Sequence, residues 1–136
     1  MPPLNHAVLS ASSAYRWLEC PPSALATADI PDETTIYAQE GSAAHEMAEY
    51  KIRWHLGEKD LAPPNIGNFN AEEIDRYTDS YAYYATDKIE TIRKICPDTI
   101  VMVEQRLDFS NYVKDGFGTG DLVIVADDVL QVIDFK

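Results

Sequence analysis

The last twenty-one residues constrain this chain most. Gly116-Phe-Gly-Thr-Gly-Asp121-Leu-Val-Ile-Val-Ala-Asp127-Asp128-Val-Leu-Gln-Val-Ile-Asp134-Phe-Lys136 reads as two apolar strands joined by a tight polar turn at Asp127-Asp128. A symmetric two-residue turn pairs Ala126 with Val129, and stepping outward along that register sets Asp121 directly opposite Asp134. Side chains alternate with period two, so Asp121, Asp134 and Lys136 fall on one face of the sheet. Like charges opposed across a strand pair are destabilising. Two carboxylates and a lysine gathered on one face make physical sense when a divalent cation sits between the acids.

The rest of the composition narrows the class. With 136 residues, 46% of them hydrophobic, and eight tyrosines, the chain can bury a modest single core over residues 1–136 and is not a disordered segment. No apolar run approaches a membrane span, so no membrane partner is expected. Met1-Pro-Pro-Leu-Asn-His6 lacks the basic-then-apolar build of a signal peptide, and a cytoplasmic location is the default expectation. Cys20 and Cys96 show no paired spacing, which argues against a disulfide framework, and two thiols alone do not make a structural zinc site. The net charge of -12 argues against a general electrostatic DNA binder, because such proteins neutralise phosphates with Lys and Arg. It leaves room for a metal-dependent nuclease, whose clustered acids hold cations. The pattern stops at Lys136 in mid-strand, which suggests an incomplete domain whose exposed last strand is open to self-association.

Along the chain, helices come first and strands second. An extended lead-in over 1–9 precedes Ser10, an N-cap for a helix through Tyr15-Arg16-Trp17-Leu18 that breaks at Cys20-Pro21-Pro22. A short second helix is expected around 23–28, then a loop over 30–35. The next helix is expected to start near Glu40-Gly41-Ser42, with Ser42 as N-cap, and to stop at Gly57. Its apolar stripe would be Ala44, Met47, Ala48 and Ile52, with His45 and Glu49 together on an adjacent face. Asn70 with Glu73 opens the longest helix, Ala71 to about Ile95, with Ile74, Tyr77, Tyr81, Tyr84, Lys88, Ile92 and Ile95 expected inward. Pro97 and Asp98 end it. A strand over Thr99–Asp108, a loop over 110–116 and the hairpin complete an α/β arrangement, with helices packed on a mainly antiparallel β-meander that carries the site.

Oxygen ligands such as Asp121 and Asp134 suit Mg²⁺ or Mn²⁺. Lys136 can orient or deprotonate a water and stabilise negative charge at phosphorus. The plain structural alternative is that Asp121 caps a strand start while Asp134 and Lys136 form a solvated edge. His45 would favour Mn²⁺ over Mg²⁺, although a surface or satisfied core histidine is the usual case, and Glu40 and Glu49 on its helix could bind the metal directly or orient a water. Glu104, on the strand before the hairpin, can project to the same place, although a solvated strand glutamate is the commoner reading. Cys20 can be read as one ligand of a split iron–sulfur site, although a small buried residue beside Trp17 is the stronger reading. Tyr77, Tyr81 and Tyr84 read as helix-packing residues.

These residues resemble a family. Gly118-x-Gly-Asp121 followed by Asp134-Phe-Lys136 is similar to the core signature of the PD-(D/E)XK nuclease superfamily. Glu40-Gly-Ser-Ala-Ala-His45 resembles the upstream histidine motif of its RecB-like branch. Ser10-Ala-Ser-Ser-Ala-Tyr-Arg-Trp-Leu-Glu-Cys-Pro21 resembles that branch's N-terminal segment. Within the branch, the order of these pieces resembles the phage- and prophage-encoded DUF2800 group. The resemblance implies a restriction-endonuclease-like core and a Mg²⁺- or Mn²⁺-dependent, phage-type DNA exonuclease. It would make His45, Asp121, Asp134 and the Phe135 backbone carbonyl metal ligands, and Lys136 the catalytic lysine. Related enzymes carry a Q-x-x-x-Y helix against DNA, which this chain does not reach. The alternative is a non-catalytic binding or assembly module that keeps a degenerate nuclease fold.

Overall fold

A computed structural model describes residues 6–31 and 33–136, so most of the expected lead-in lies outside the described residues. Two compact units emerge: Met1–Glu33 with Arg106–Thr119, and Thr34–Gln105 with Gly120–Lys136.

In the first unit Ser10 accepts the Ser13 N–H and caps a short 3-10 turn, Ala11–Ser13, that runs into α1, Ala14–Glu19. The Trp17 indole donates to the Ser10 carbonyl at 2.9 Å, tying the helix to its own cap. Pro22 then opens α2, Pro22–Ala26, at a position where its missing N–H is not needed. The expected break and the short second helix are both present. Further along this unit, Phe109 N–H donates to the Gly116 carbonyl at 3.0 Å. A Cβ on Gly116 would lie 2.7 Å from both the Phe109 ring and the Val113 carbonyl, so that turn requires glycine.

The second unit holds α3, Ile36–His55, and α4, Ala71–Ile95. Helix α3 starts earlier than expected. Thr35 caps it by accepting the Ala38 N–H at 3.1 Å, while Ser42 lies inside the helix and donates to the Ala38 carbonyl at 3.0 Å. Thr35 supplies the same capping oxygen about two turns upstream, and one interior glycine, Gly41, costs only about 1 kcal/mol. At the other end Gly57, at φ 108°, closes a Schellman motif: Gly57 N–H donates to Trp54 O and Glu58 N–H to Arg53 O.

Helix α4 has the bounds read from the sequence, with Asn70 accepting the Glu73 N–H at 3.2 Å. Its inward face is different. Tyr77 and Tyr84 are 54% and 53% exposed, and Ile95 is exposed too; Ile74 is buried as expected, and Tyr81 and Ile92 pack against the core, but Thr78, Ala82, Ala85 and Ile89 complete the buried line. Small side chains on this line let α4 approach α3 closely, and the bulky rings are displaced to the flanks. Lys51 pins the two helices, its ammonium reaching Asp75 at 3.0 Å, Asp79 at 2.6 Å and the Thr78 hydroxyl at 2.8 Å.

Strands β1 (Ile100–Asp108), β2 (Phe117–Ala126) and β3 (Val129–Ile133) form one sheet in the order β1-β2-β3. The antiparallel β2–β3 ladder pairs Ala126 with Val129 and runs to Leu122 with Ile133, which is the register read from the sequence. Asp127, at φ 50°, makes the turn. Ile52 of α3, with Ala82, Ala85 and Ile89 of α4, packs on Val103, Leu122 and Ile124 of the sheet to form the core. The chain is thus mixed α/β, with helices against a three-stranded antiparallel sheet. No helix among the described residues is long and apolar enough to cross a membrane.

The displaced face of α4 sets a test. Ile89→Ala removes a fully buried side chain and should lower unfolding free energy by about 2–5 kcal/mol, measured by urea denaturation. Tyr84→Ala, on the outer flank, should change it by no more than about 0.5 kcal/mol.

Candidate functional site

The second unit brings several titratable residues to one end of the sheet. Asp121, near the start of the apolar run of β2, is held by two contacts. Its Oδ2 accepts the Phe135 backbone N–H at 2.7 Å and lies 3.3 Å from Nε2 of His45 on α3. The other ring nitrogen of His45, Nδ1, is 2.9 Å from the Gly41 carbonyl. A carbonyl only accepts, so Nδ1 carries the hydrogen and a neutral ring presents a lone pair at Nε2. Two lone-pair atoms at 3.3 Å attract only when a proton or a metal cation lies with them. A backbone carbonyl on one imidazole nitrogen is the usual device for presenting the other to a metal.

Asp134 follows β3 one step beyond the ladder, opposite Asp121 in the continued register. Its side chain is 58% exposed and meets the Lys136 ammonium at 3.4 Å. Phe135 turns inward. Its ring takes the His45 ring edge-on at 5.1 Å and lies 4.8 Å from the Tyr81 ring.

Around Asp121 the acids outnumber the cations. Burial raises the Asp121 carboxyl above its ordinary range and Asp134 adds to this, against the lowering effect of the Phe135 N–H and His45. Burial also raises Glu104, helped by Asp121 and Glu49 and opposed by His45 and Arg53. Tyr81 is pushed up as well, by burial first and then by Asp121, Glu104 and Asp134. Glu104 stands at φ 50°, in the left-handed region, which interrupts the regular pleat of β1 and costs about 1–3 kcal/mol. Such strain is common where a side chain is re-aimed at a functional site.

His45, Asp121, Phe135 and Asp134 therefore gather here, with Lys136 on Asp134 and Glu104 within electrostatic reach. Glu49 is committed to Arg53 at 2.7 Å, and Arg53 also donates to the Val103 carbonyl at 3.1 Å. Glu40 makes no hydrogen bond or ion pair among the described residues. Cys20 is exposed, which corrects the expected small buried residue beside Trp17. Among the described residues, no three His, Cys, Asp or Glu side chains converge as a ready metal-binding group. Tyr81 and Arg53 were not legible as site residues. Arg53 lies one turn beyond Glu49 on the face of His45, a spacing that could have found it, whereas nothing in the tyrosine spacing separates Tyr81 from Tyr77 and Tyr84.

The family profile described as "Protein of unknown function (DUF2800)" matches residues 6–136. The chain belongs to the DUF2800 family. No solved structure matches the chain. The match covers all three segments quoted above, so this DUF2800 chain carries the histidine of α3 and the two aspartates of the hairpin inside the family's own span.

Burial of two of the site's acids sets an expected pH response for the DUF2800 chain. Asp121 and Glu104 hold protons more tightly folded than unfolded, so the folded state binds more protons once pH rises above their ordinary 3.8 and 4.5. Their stability contribution is fully present below those values and lost as pH rises through the raised folded ones. Ion-free protein should lose midpoint temperature as pH rises above their ordinary 3.8 and 4.5, and the Asp121→Asn, Glu104→Gln double variant should lose less. Differential scanning calorimetry across that range reads the difference; parallel wild-type and variant curves would contradict it.

Proposed function

We propose that this chain carries the metal-binding site of a DNA nuclease, a phage-type exonuclease of the PD-(D/E)XK kind that hydrolyses phosphodiesters with a metal-activated water. The observation that carries this reading is the meeting of His45 with Asp121 at 3.3 Å, beside a hairpin whose register sets Asp121 opposite Asp134 of the Asp134-Phe135-Lys136 triplet. These residues are far apart in sequence, and the resemblance to the nuclease signature involves the same ones.

The donor set fits Mg²⁺ or Mn²⁺ by chemistry: carboxylate oxygens, one imidazole nitrogen presented by its backbone-bonded partner, and carboxyls raised by burial first and by neighbouring acids second. His45, Asp121, Asp134 and the Phe135 carbonyl would hold the ion. Bound there, it would supply an acidified water and neutralise charge on the phosphoryl group. Lys136, whose side chain is 88% exposed, is free to move from Asp134 toward a water or a phosphate oxygen. Glu104, which readily holds a proton, can take one from that water. The reach of Asp134 and Lys136 into solvent is what lets a loose set of donors close around an ion.

A second reading, a binding or assembly module without catalysis, is favoured by one observation: no three donors converge among the described residues. It draws further support from β3 at the sheet edge, where Val129, Leu130 and Val132 are 55%, 62% and 53% exposed and could pair with another copy.

Two measurements separate the readings. In the nuclease reading, Mn²⁺ raises the thermal midpoint because it binds the folded state, and the full chain degrades fluorescent DNA. Asp121→Ala and Asp134→Ala should each reduce the rate by about 100-fold or more. Equal rates in all three proteins sink the metal assignment. An absent Mn²⁺ shift together with sedimentation as a dimer favours the assembly module.

A further inference from the structure

Tyr81 lies mid-way along α4, on the flank of the buried line. Its hydroxyl and that of Ser23 are the side-chain polar atoms among the described residues that are buried with no hydrogen-bond partner. Ser23 belongs to the first unit; Tyr81 stands beside the candidate site. Its ring lies 4.8 Å from Phe135, and Phe135 in turn meets His45 at 5.1 Å. Behind burial, the charges of Asp121, Glu104 and Asp134 also push the phenol up, so these acids lie within electrostatic range of it.

A buried hydroxyl without a partner weakens a fold, because it has left water and gained nothing. Phenylalanine would make the same ring contacts without that cost. The Tyr81 oxygen therefore has a use only if something enters that can accept its hydrogen. The carboxylates are too distant to accept it in the free chain. A ligand oxygen bound beside those carboxylates is an acceptor of the right chemistry.

We propose that the Tyr81 hydroxyl donates to a non-bridging oxygen of the phosphodiester bound at the His45–Asp121 site, making Tyr81 a substrate-positioning residue. The proposal rests on the nuclease reading. A neutral donor suits this place: it grips a phosphate oxygen without adding a fixed cation that would compete with the metal for the carboxylates. The ring stack reinforces the same arrangement, since Tyr81 braces Phe135 and Phe135 braces His45.

The test uses the full chain and Tyr81→Phe, which keeps the ring. Without ligand, Tyr81→Phe should melt a few degrees above wild type, because the orphaned hydroxyl is gone. With Mn²⁺ alone, both proteins should shift equally. With Mn²⁺ and a short phosphorothioate-linked oligothymidylate as a slowly cleaved probe, the variant should bind about 10- to 100-fold more weakly, the loss expected for a hydrogen bond to a charged acceptor. DNA hydrolysis should show this in KM more than in kcat. A variant that melts below wild type, or that binds the probe and cleaves DNA as wild type does, overturns the proposal alone. A wild type with neither a Mn²⁺ shift nor hydrolysis overturns the nuclease reading and the proposal with it.

Discussion

The register of one hairpin governs the second unit. The Asp127-Asp128 turn sets Ala126 against Val129, and from that pair every other contact between β2 and β3 follows. Leu122 and Ile133 are brought into the core together, and one step further Asp121 stands across from Asp134. A slip of a single residue would exchange the faces of the slipped strand, exposing its core residues and separating the two acids. In the nuclease reading, stability and chemistry thus depend on the same pairing. The apolar residues fix the register, and the aspartates use it.

Much of this was readable in advance, and the failures have physical causes. The hairpin was legible because a two-residue polar turn between apolar runs has few solutions. Helix α4 was legible at both ends because Asn70 caps one and Pro97 lies just past the other. Its inward face was misread because periodicity rewards large side chains, whereas close packing against α3 rewards Thr78, Ala82 and Ala85. The start of α3 was misread because Thr35 and Ser42 are equivalent caps on local grounds, and the choice is made by packing of the whole helix. For the site, the pairing of His45 with Asp121 depends on tertiary contact that no local pattern encodes; the motif resemblance pointed to it. Glu104 was an open possibility whose involvement turns on one left-handed residue in β1.

The charge balance bears on how such a chain would meet DNA. Acids outnumber bases by 23 to 11. Several of the bases are spent on the protein itself: Lys51 between two aspartates, Arg53 between two glutamates and a carbonyl, and Lys59 on the Trp54 carbonyl and over its ring. Little long-range positive field is left to draw a phosphate backbone. In the nuclease reading the attraction is local and conditional, since it exists only where and when a divalent cation is held. Binding would then follow the concentration of that ion more closely than the ionic strength.

The clasp of Lys51 on α4 also has a mechanical side. Lys51 and His45 are less than two turns apart on one helix, so whatever stops α3 from rolling about its axis also aims the imidazole. Side-chain tips lie about 5–6 Å from a helix axis, so a roll of about 20° would carry the histidine ring about 2 Å sideways. That displacement is a large part of its 3.3 Å separation from Asp121. An ammonium gripping Asp75, Asp79 and Thr78 from the flank acts as a locking pin for the aim of a residue on another part of the rod.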